Sequence, residues 1–273
     1  MGTSTIPVDP FNPGQVFACV GFAEVAHQEL GNGTRSNFVR DETGAYHFEL
    51  IAPHESPLAF VDAWLRDASL RVVCPEHADF RNVPRIPIRH LLPGEPFPVR
   101  VAKSDIAPLE IVPREGRVLS IHHWAEDGGA FKWFAGMAGY PGAALFRDAR
   151  DRLPPALPRD PFAYSAPARS TAGFDARCFR VALDVGTFRT GTIQTYPYVD
   201  VWAALGLVMA RPAMVNRNEH RYGLPIQQPL PIALLRAAIG CAPLALSCRT
   251  FRYRLVRPPG MYSRFIQSVV EES

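Results

Sequence analysis

Asn12-Pro-Gly-Gln-Val-Phe-Ala-Cys-Val-Gly-Phe-Ala-Glu-Val-Ala-His-Gln-Glu-Leu-Gly-Asn-Gly33 is the stretch on which the fold turns. Asn12 before Pro13 marks a helix start, because an asparagine oxygen accepts from free first-turn amides and proline needs no partner there. Gly31-Asn32-Gly33 ends the helix. In between, Val16, Phe17, Val20, Phe22 and Val25 go most of the way round, which predicts a helix buried on nearly every side. A helix that apolar needs cover, and the rest of the chain has to supply it.

Upstream, Ile6-Pro-Val-Asp-Pro reads as turn and extended chain. Downstream, Tyr46 to Ile51 reads as a short strand, and Ser56-Pro57 caps a second helix, Leu58 to Leu65, with Leu58, Val61 and Leu65 on one face. Pro84 to Pro113 carries seven prolines and reads as loop with short extended pieces such as Val99-Arg-Val101. Arg117 to Trp124 predicts a strand, Gly136 to Leu153 a helix, Arg152 to Pro167 a proline-dense connection and Cys178 to Leu183 a strand. Val199 to Met209 is a strongly apolar helix, and Ile232 to Ile239 a helix or a strand. Arg249 to Val256 alternates, with Phe251, Tyr253 and Leu255 on one face and Arg252 and Arg254 on the other. Helices mixed with mostly antiparallel strands, proline-rich loops and no βαβ rhythm predict an α+β fold without a doubly wound sheet.

Length and charge bound the function. The chain has 273 residues, is 47% hydrophobic and 20% charged, and carries a net charge of only +3. That total conceals a division: residues 1–140 hold 12 Lys/Arg against 17 Asp/Glu, and residues 141–273 hold 17 against 9. Between Val201 and Val270 there are nine arginines and one acid, Glu219. The organisation read from this is an acidic region over 1–150 containing the buried helix and a basic region over 151–273, in two parts or one continuous domain. Such asymmetry points toward nucleic acid or another anionic surface. The longest apolar run, Val201 to Ala210, is half of what a membrane-spanning helix needs. No secretory pattern opens the sequence, and five cysteines without framework spacing fit reduced thiols, so the chain reads as cytoplasmic.

Catalytic motifs are sparse. There is no phosphate-cradling glycine loop, no G-x-S-x-G elbow and no H-E-x-x-H. Cys74-Pro-Glu-His77 has half the spacing of a zinc site, which Cys241 and Cys248 would have to complete across a gap wider than zinc motifs use. His122 and His123 are adjacent on a predicted strand and point to opposite faces, and Asp9, Glu24 and His27 are scattered. No cofactor or metal is expected. The arginines carry more: a guanidinium grips phosphate and reads the edge of guanine. Arg249, Arg252, Arg254, Arg257 and Arg264 bunch with Phe251, Tyr253 and Tyr262. Arg211, Arg217 and Arg221 flank Asn216 and Asn218 in a predicted loop. Basic residues interleaved with aromatics suit a groove that tracks a nucleic-acid backbone.

The blocks that carry a family resemblance begin with Val8-Asp-Pro-Phe-Asn-Pro-Gly-Gln-Val-Phe-Ala-Cys-Val-Gly-Phe-Ala-Glu-Val-Ala26. This resembles the N-terminal signature of the small CRISPR-associated proteins of type I-G systems, formerly I-U. Phe131-Lys-Trp-Phe-Ala-Gly136 after Ile121-His-His-Trp124, Tyr164 to Phe174, and Asp200 to Pro212 with Arg221-Tyr222 and Pro229-Leu-Pro-Ile232 are similar to further blocks of that family in the same order. Phe134 intervenes where the family has Trp directly before Ala-Gly, and Cys19 stands where many members have a cysteine pair.

The resemblance implies a non-catalytic, large-subunit counterpart of a Cascade-like, RNA-guided complex. Such a subunit engages target double-stranded DNA at the protospacer-adjacent motif, aids R-loop formation and favours recruitment of a helicase-nuclease. Its partners are the other effector subunits and, directly or through them, the guide RNA, with no membrane. The contact residues expected are Arg217, Asn218, Arg221, Arg249, Arg252 and Arg254, with Lys132, Asn216 and Gln194 behind them. The alternatives are an assembly subunit holding guide RNA or a neighbouring protein, and a metal-dependent nuclease using His77, His122 and His123.

Overall fold

The computed structural model describes residues 1–72, 109–121, 142–168, 171–178, 193–216, 218–226, 228–256 and 265–272. In chain order, β1 (Gly2–Val8), α1 (Pro13–Leu30), β2 (Arg35–Arg40), β3 (Tyr46–Ala52), α2 (Pro57–Asp67) and β4 (Ser69–Val72) come first. Then come β5 (Leu109–Val112), β6 (Leu119–Ile121), α3 (Gly142–Asp151), β7 (Ala166–Ala168), β8 (Ile193–Thr195) and α4 (Pro197–Met209). β9 (Ala213–Asn216), β10 (Glu219–Pro225), β11 (Leu230–Pro231), α5 (Ile232–Ile239), β12 (Cys248–Val256) and β13 (Phe265–Glu272) complete the described chain.

α1 is buried from Pro13 to Ala26, and its cover is α4, buried from Pro197 to Leu207. The two helices with the longest buried stretches pack on each other. They do so at backbone contact: a Cβ on Gly21 would lie 2.0 Å from the Trp202 carbonyl oxygen, and one on Gly206 would lie 2.0 Å from that of Phe17. Only a residue without a side chain fits at either position. Beside the crossing, Phe22 stacks on Trp202 with ring centroids 4.1 Å apart.

Strands wrap this pair in small antiparallel sheets. One runs β1-β3-β2-β11, a second β13-β12-β10-β9, a third β4-β5-β6, and β7 pairs with β8. This is an α+β architecture, and among the described residues there is neither a closed barrel nor a doubly wound parallel sheet. The core is contiguous from Ile6 to Ile266. β11 adds Leu230 and Pro231 to the N-terminal sheet opposite Ser36 and Arg35, so the basic half of the sequence completes a sheet of the acidic half. Among the described residues no helix is long and apolar enough to cross a membrane.

Several local expectations change. The Asn12 side chain does not cap α1; its Oδ1 accepts from the Ala176 amide at 3.3 Å, tying the helix start to a distant segment. Leu109–Val112, inside the proline-rich stretch, is a strand between β4 and β6. Cys178, read as a strand start, closes a helical turn through its amide to Asp175 O at 3.1 Å. The segment around Asn216 and Asn218, read as a loop, is the β9–β10 hairpin. Val99–Val101 lies outside the described residues.

The start of α4 rests on a buried carboxylate. Asp200, 2% exposed, accepts the hydroxyls of Thr171 at 2.7 Å and Thr195 at 2.8 Å, with the Phe174 amide at 3.4 Å. These donors are neutral, and burial dominates: it pushes the Asp200 carboxyl up to about 6.

Candidate nucleic-acid interface

The arginine-rich strand β12 lies inside the β13-β12-β10-β9 sheet, and its alternation divides inside from outside. Phe251, Tyr253 and Leu255 are buried together with His220, Tyr222 and Leu224 of β10. Tyr222 stacks on Phe251 at 5.5 Å and His220 on Tyr253 at 5.3 Å. The Tyr222 hydroxyl donates to Pro10 O at 2.5 Å, anchoring the sheet to the entry of α1. Burial pushes the Tyr222 and Tyr253 hydroxyls far up, so both stay protonated. At Gly223 a Cβ would meet the Ala238 carbonyl oxygen at 2.3 Å, which lets α5 lie directly on β10.

The outer face is exposed and basic. Arg221 of β10 stands directly opposite Arg252 of β12, and that row continues to Ala213 on one side and Val270 on the other. One row along, Arg254 lies between Glu219 and Ser268. Like charges directly opposite one another destabilise a sheet. Here the repulsion is relieved on one side only, by the Glu272 carboxylate 3.3 Å from Arg252 Nε. Arg221 and Arg254 form no ion pair among the described residues. Two strands therefore present three outward guanidiniums on a rigid, aromatic-backed support.

Arg249 does not belong to that face. It shares the parity of Phe251 and Tyr253, and its guanidinium donates to Glu271 and to the Tyr46 hydroxyl of β3. The Tyr46 hydroxyl and the Glu271 carboxylate, set against slight desolvation, hold Arg249 more firmly protonated than usual. It ties the two four-stranded sheets together. Asn216 is likewise committed: its Oδ1 accepts the amides of Asn218 at 2.9 Å and Glu219 at 3.1 Å, and its Nδ2 donates to Glu219 Oε2 at 2.8 Å. It shapes the hairpin turn that leaves the exposed Asn218 side chain at the tip. Gln194 sits on β8, paired with Pro167 in a different sheet. Arg217, Lys132, Arg257 and Arg264 lie outside the described residues, as do His77, His122 and His123.

The charge count along the sequence overstated the free positive charge for a physical reason. Glu271 and Glu272 follow directly after the acid-poor stretch and fold back on β12, and Glu24 binds Arg236. β13, whose acids do this, is a strand the sequence reading did not anticipate, although the β-branched and aromatic members of Phe265-Ile-Gln-Ser-Val-Val270 carry the signal. Among the described residues no group of three or more His, Cys, Asp or Glu is placed to hold a metal ion. Burial raises the Cys241 thiol to about 11 and pushes the Cys248 thiol up as well.

Set against known proteins, the chain matches no family model, no curated protein and no solved structure. What fold and face define is a class: an α+β protein presenting an arginine-bearing antiparallel sheet surface.

Proposed function

We propose that this chain is a non-catalytic subunit of a type I-G CRISPR surveillance complex, working in the cytoplasm. It engages target double-stranded DNA beside the protospacer-adjacent motif, and aids R-loop formation and recruitment of the helicase-nuclease. The observation that supports this is the outward row of Arg221 and Arg252 with Arg254 beside it. A two-stranded ribbon fits the major groove, where guanidiniums bind phosphate or the O6 and N7 acceptors of guanine. Long sequence specificity is left to guide pairing, so a charged, shape-complementary surface suffices. Asn218, at the hairpin tip, is the polar side chain of this set placed to accompany the arginines.

Reconstituting the effector complex with and without this chain, on targets carrying motif variants, tests the proposal. Motif preference is expected to vanish when the chain is omitted. Unchanged preference in its absence rejects the assignment.

A second reading, an assembly subunit contacting guide RNA or neighbouring subunits, is favoured by exposed apolar side chains on the outer strands of the same sheet. Met214 is 65% and Val215 46% exposed on β9, and Val270 is 46% exposed opposite Arg252. Exposed apolar groups at the margins of a polar face suit a protein neighbour. In that case replacing Arg252 and Arg254 by Ala dissolves the complex instead of altering motif choice.

A further inference from the structure

A cavity of about 410 Å³ opens between α1, the segment leading into β6, the end of α4, and α5. None of its lining residues belongs to the arginine face. Glu24 and His27, one helical turn apart on α1, form one wall, and Arg236 of α5 and Arg117 form others. The Glu24 side chain is only 7% exposed, and its two oxygens accept Arg236 Nε and Nη2, each at 2.5 Å. That pair is neutral as a unit. Arg117 differs: the Gln28 amide holds its backbone carbonyl at 2.7 Å, while its guanidinium forms no ion pair among the described residues. His27 lines the same wall as Glu24, its Nδ1 buried and without a hydrogen-bond partner among the described residues. Leu119, Leu205 and the half-exposed Met209 supply an apolar side.

We propose that this cavity is a binding site for a small organic monocarboxylate with an apolar or aromatic body. One unpaired guanidinium supports one negative charge, and its planar fork matches a carboxylate bidentately. A dianion would leave its second charge without a cation, since Arg236 is already committed to Glu24. The apolar body lies on Leu119, Leu205 and Met209, as in ligand sites where a few polar groups orient a largely apolar ligand. The site stands independently of the DNA-binding proposal, since it uses none of the same residues.

Isothermal titration of the full chain with phenylacetate and with hexanoate tests it, with phenylacetamide as the uncharged control. At least one acid is expected to bind, and the amide to bind roughly tenfold or more weakly. Arg117→Ala is expected to weaken acid binding by a similar factor while leaving the melting temperature unchanged, because its guanidinium forms no ion pair among the described residues. Met209→Trp fills the apolar side and abolishes binding. Failure of both acids to bind overturns the proposal, as does equal binding of acid and amide or an unaltered affinity in Arg117→Ala.

Discussion

Gly206→Ala is expected to leave the protein about 3 kcal/mol less stable or to prevent folding, since overpacking a tight core costs about 1–3 kcal/mol and sometimes more. The sign is the informative part. In an ordinary helix interior, replacing glycine by alanine gains about 1 kcal/mol. Here the new methyl would stand 2.0 Å from the carbonyl oxygen of Phe17, a backbone atom of α1 that cannot rotate away. Relief requires α1 and α4 to separate, which opens the Phe22–Trp202 stack and the buried faces of both helices. Gly21→Ala should behave alike, its methyl meeting the Trp202 carbonyl at the same 2.0 Å. Gly33→Ala is the control, because a Cβ there finds nothing closer than 3.8 Å. Urea titration measures all three. A Gly206→Ala protein as stable as the parent would mean that the two helices do not touch.

Asp200 makes stability depend on pH in a direction opposite to most surface carboxylates. Its folded value of about 6 lies above the ordinary 3.8, so the native state binds the proton more tightly than the unfolded chain does. Its contribution is fully present below about pH 4 and is lost as the pH rises through about 6. A difference of about two pH units corresponds to about 3 kcal/mol. Asp200→Asn abolishes the titration and keeps an oxygen for the hydroxyls of Thr171 and Thr195. The stability of Asp200→Asn relative to the parent should therefore improve by about 2 kcal/mol between pH 4 and pH 7, read from chemical denaturation at each pH. A constant difference across that range would mean the carboxylate is solvated or paired with a cation.

Much of the scaffold was legible because its signals are local. Apolar residues most of the way round Val16 to Leu30 predicted a buried helix, the run Val199 to Met209 predicted a strongly apolar one, and the alternation of Arg249 to Val256 predicted a strand with the inside and outside observed. What stayed hidden depends on distant partners. Nothing near Gly21 announces Gly206, and nothing near Ser36 announces Leu230. The Glu24–Arg236 pair closes a separation of 212 residues, so Glu24 and His27 read as scattered although they share a cavity wall. Arg249 is the instructive exception. Its parity with Phe251 already placed it on the inner face, and grouping it with Arg252 and Arg254 by charge set that period-2 signal aside.

The outward arginines carry the functional account, and the salt dependence of target binding probes them most directly. Affinity of the assembled complex for target duplex would be measured over a range of salt concentrations, with the parent chain, with Arg221→Ala/Arg252→Ala/Arg254→Ala, and with Arg249→Ala. Each phosphate contact contributes roughly 0.9 to the slope of log affinity against log salt, so the triple variant should bind more weakly with a slope shallower by up to about 3. Arg249→Ala, whose guanidinium is held by Glu271 and Tyr46, should keep the parent slope. An intact complex whose triple variant retains the parent affinity and slope would contradict a DNA-contacting role for this face.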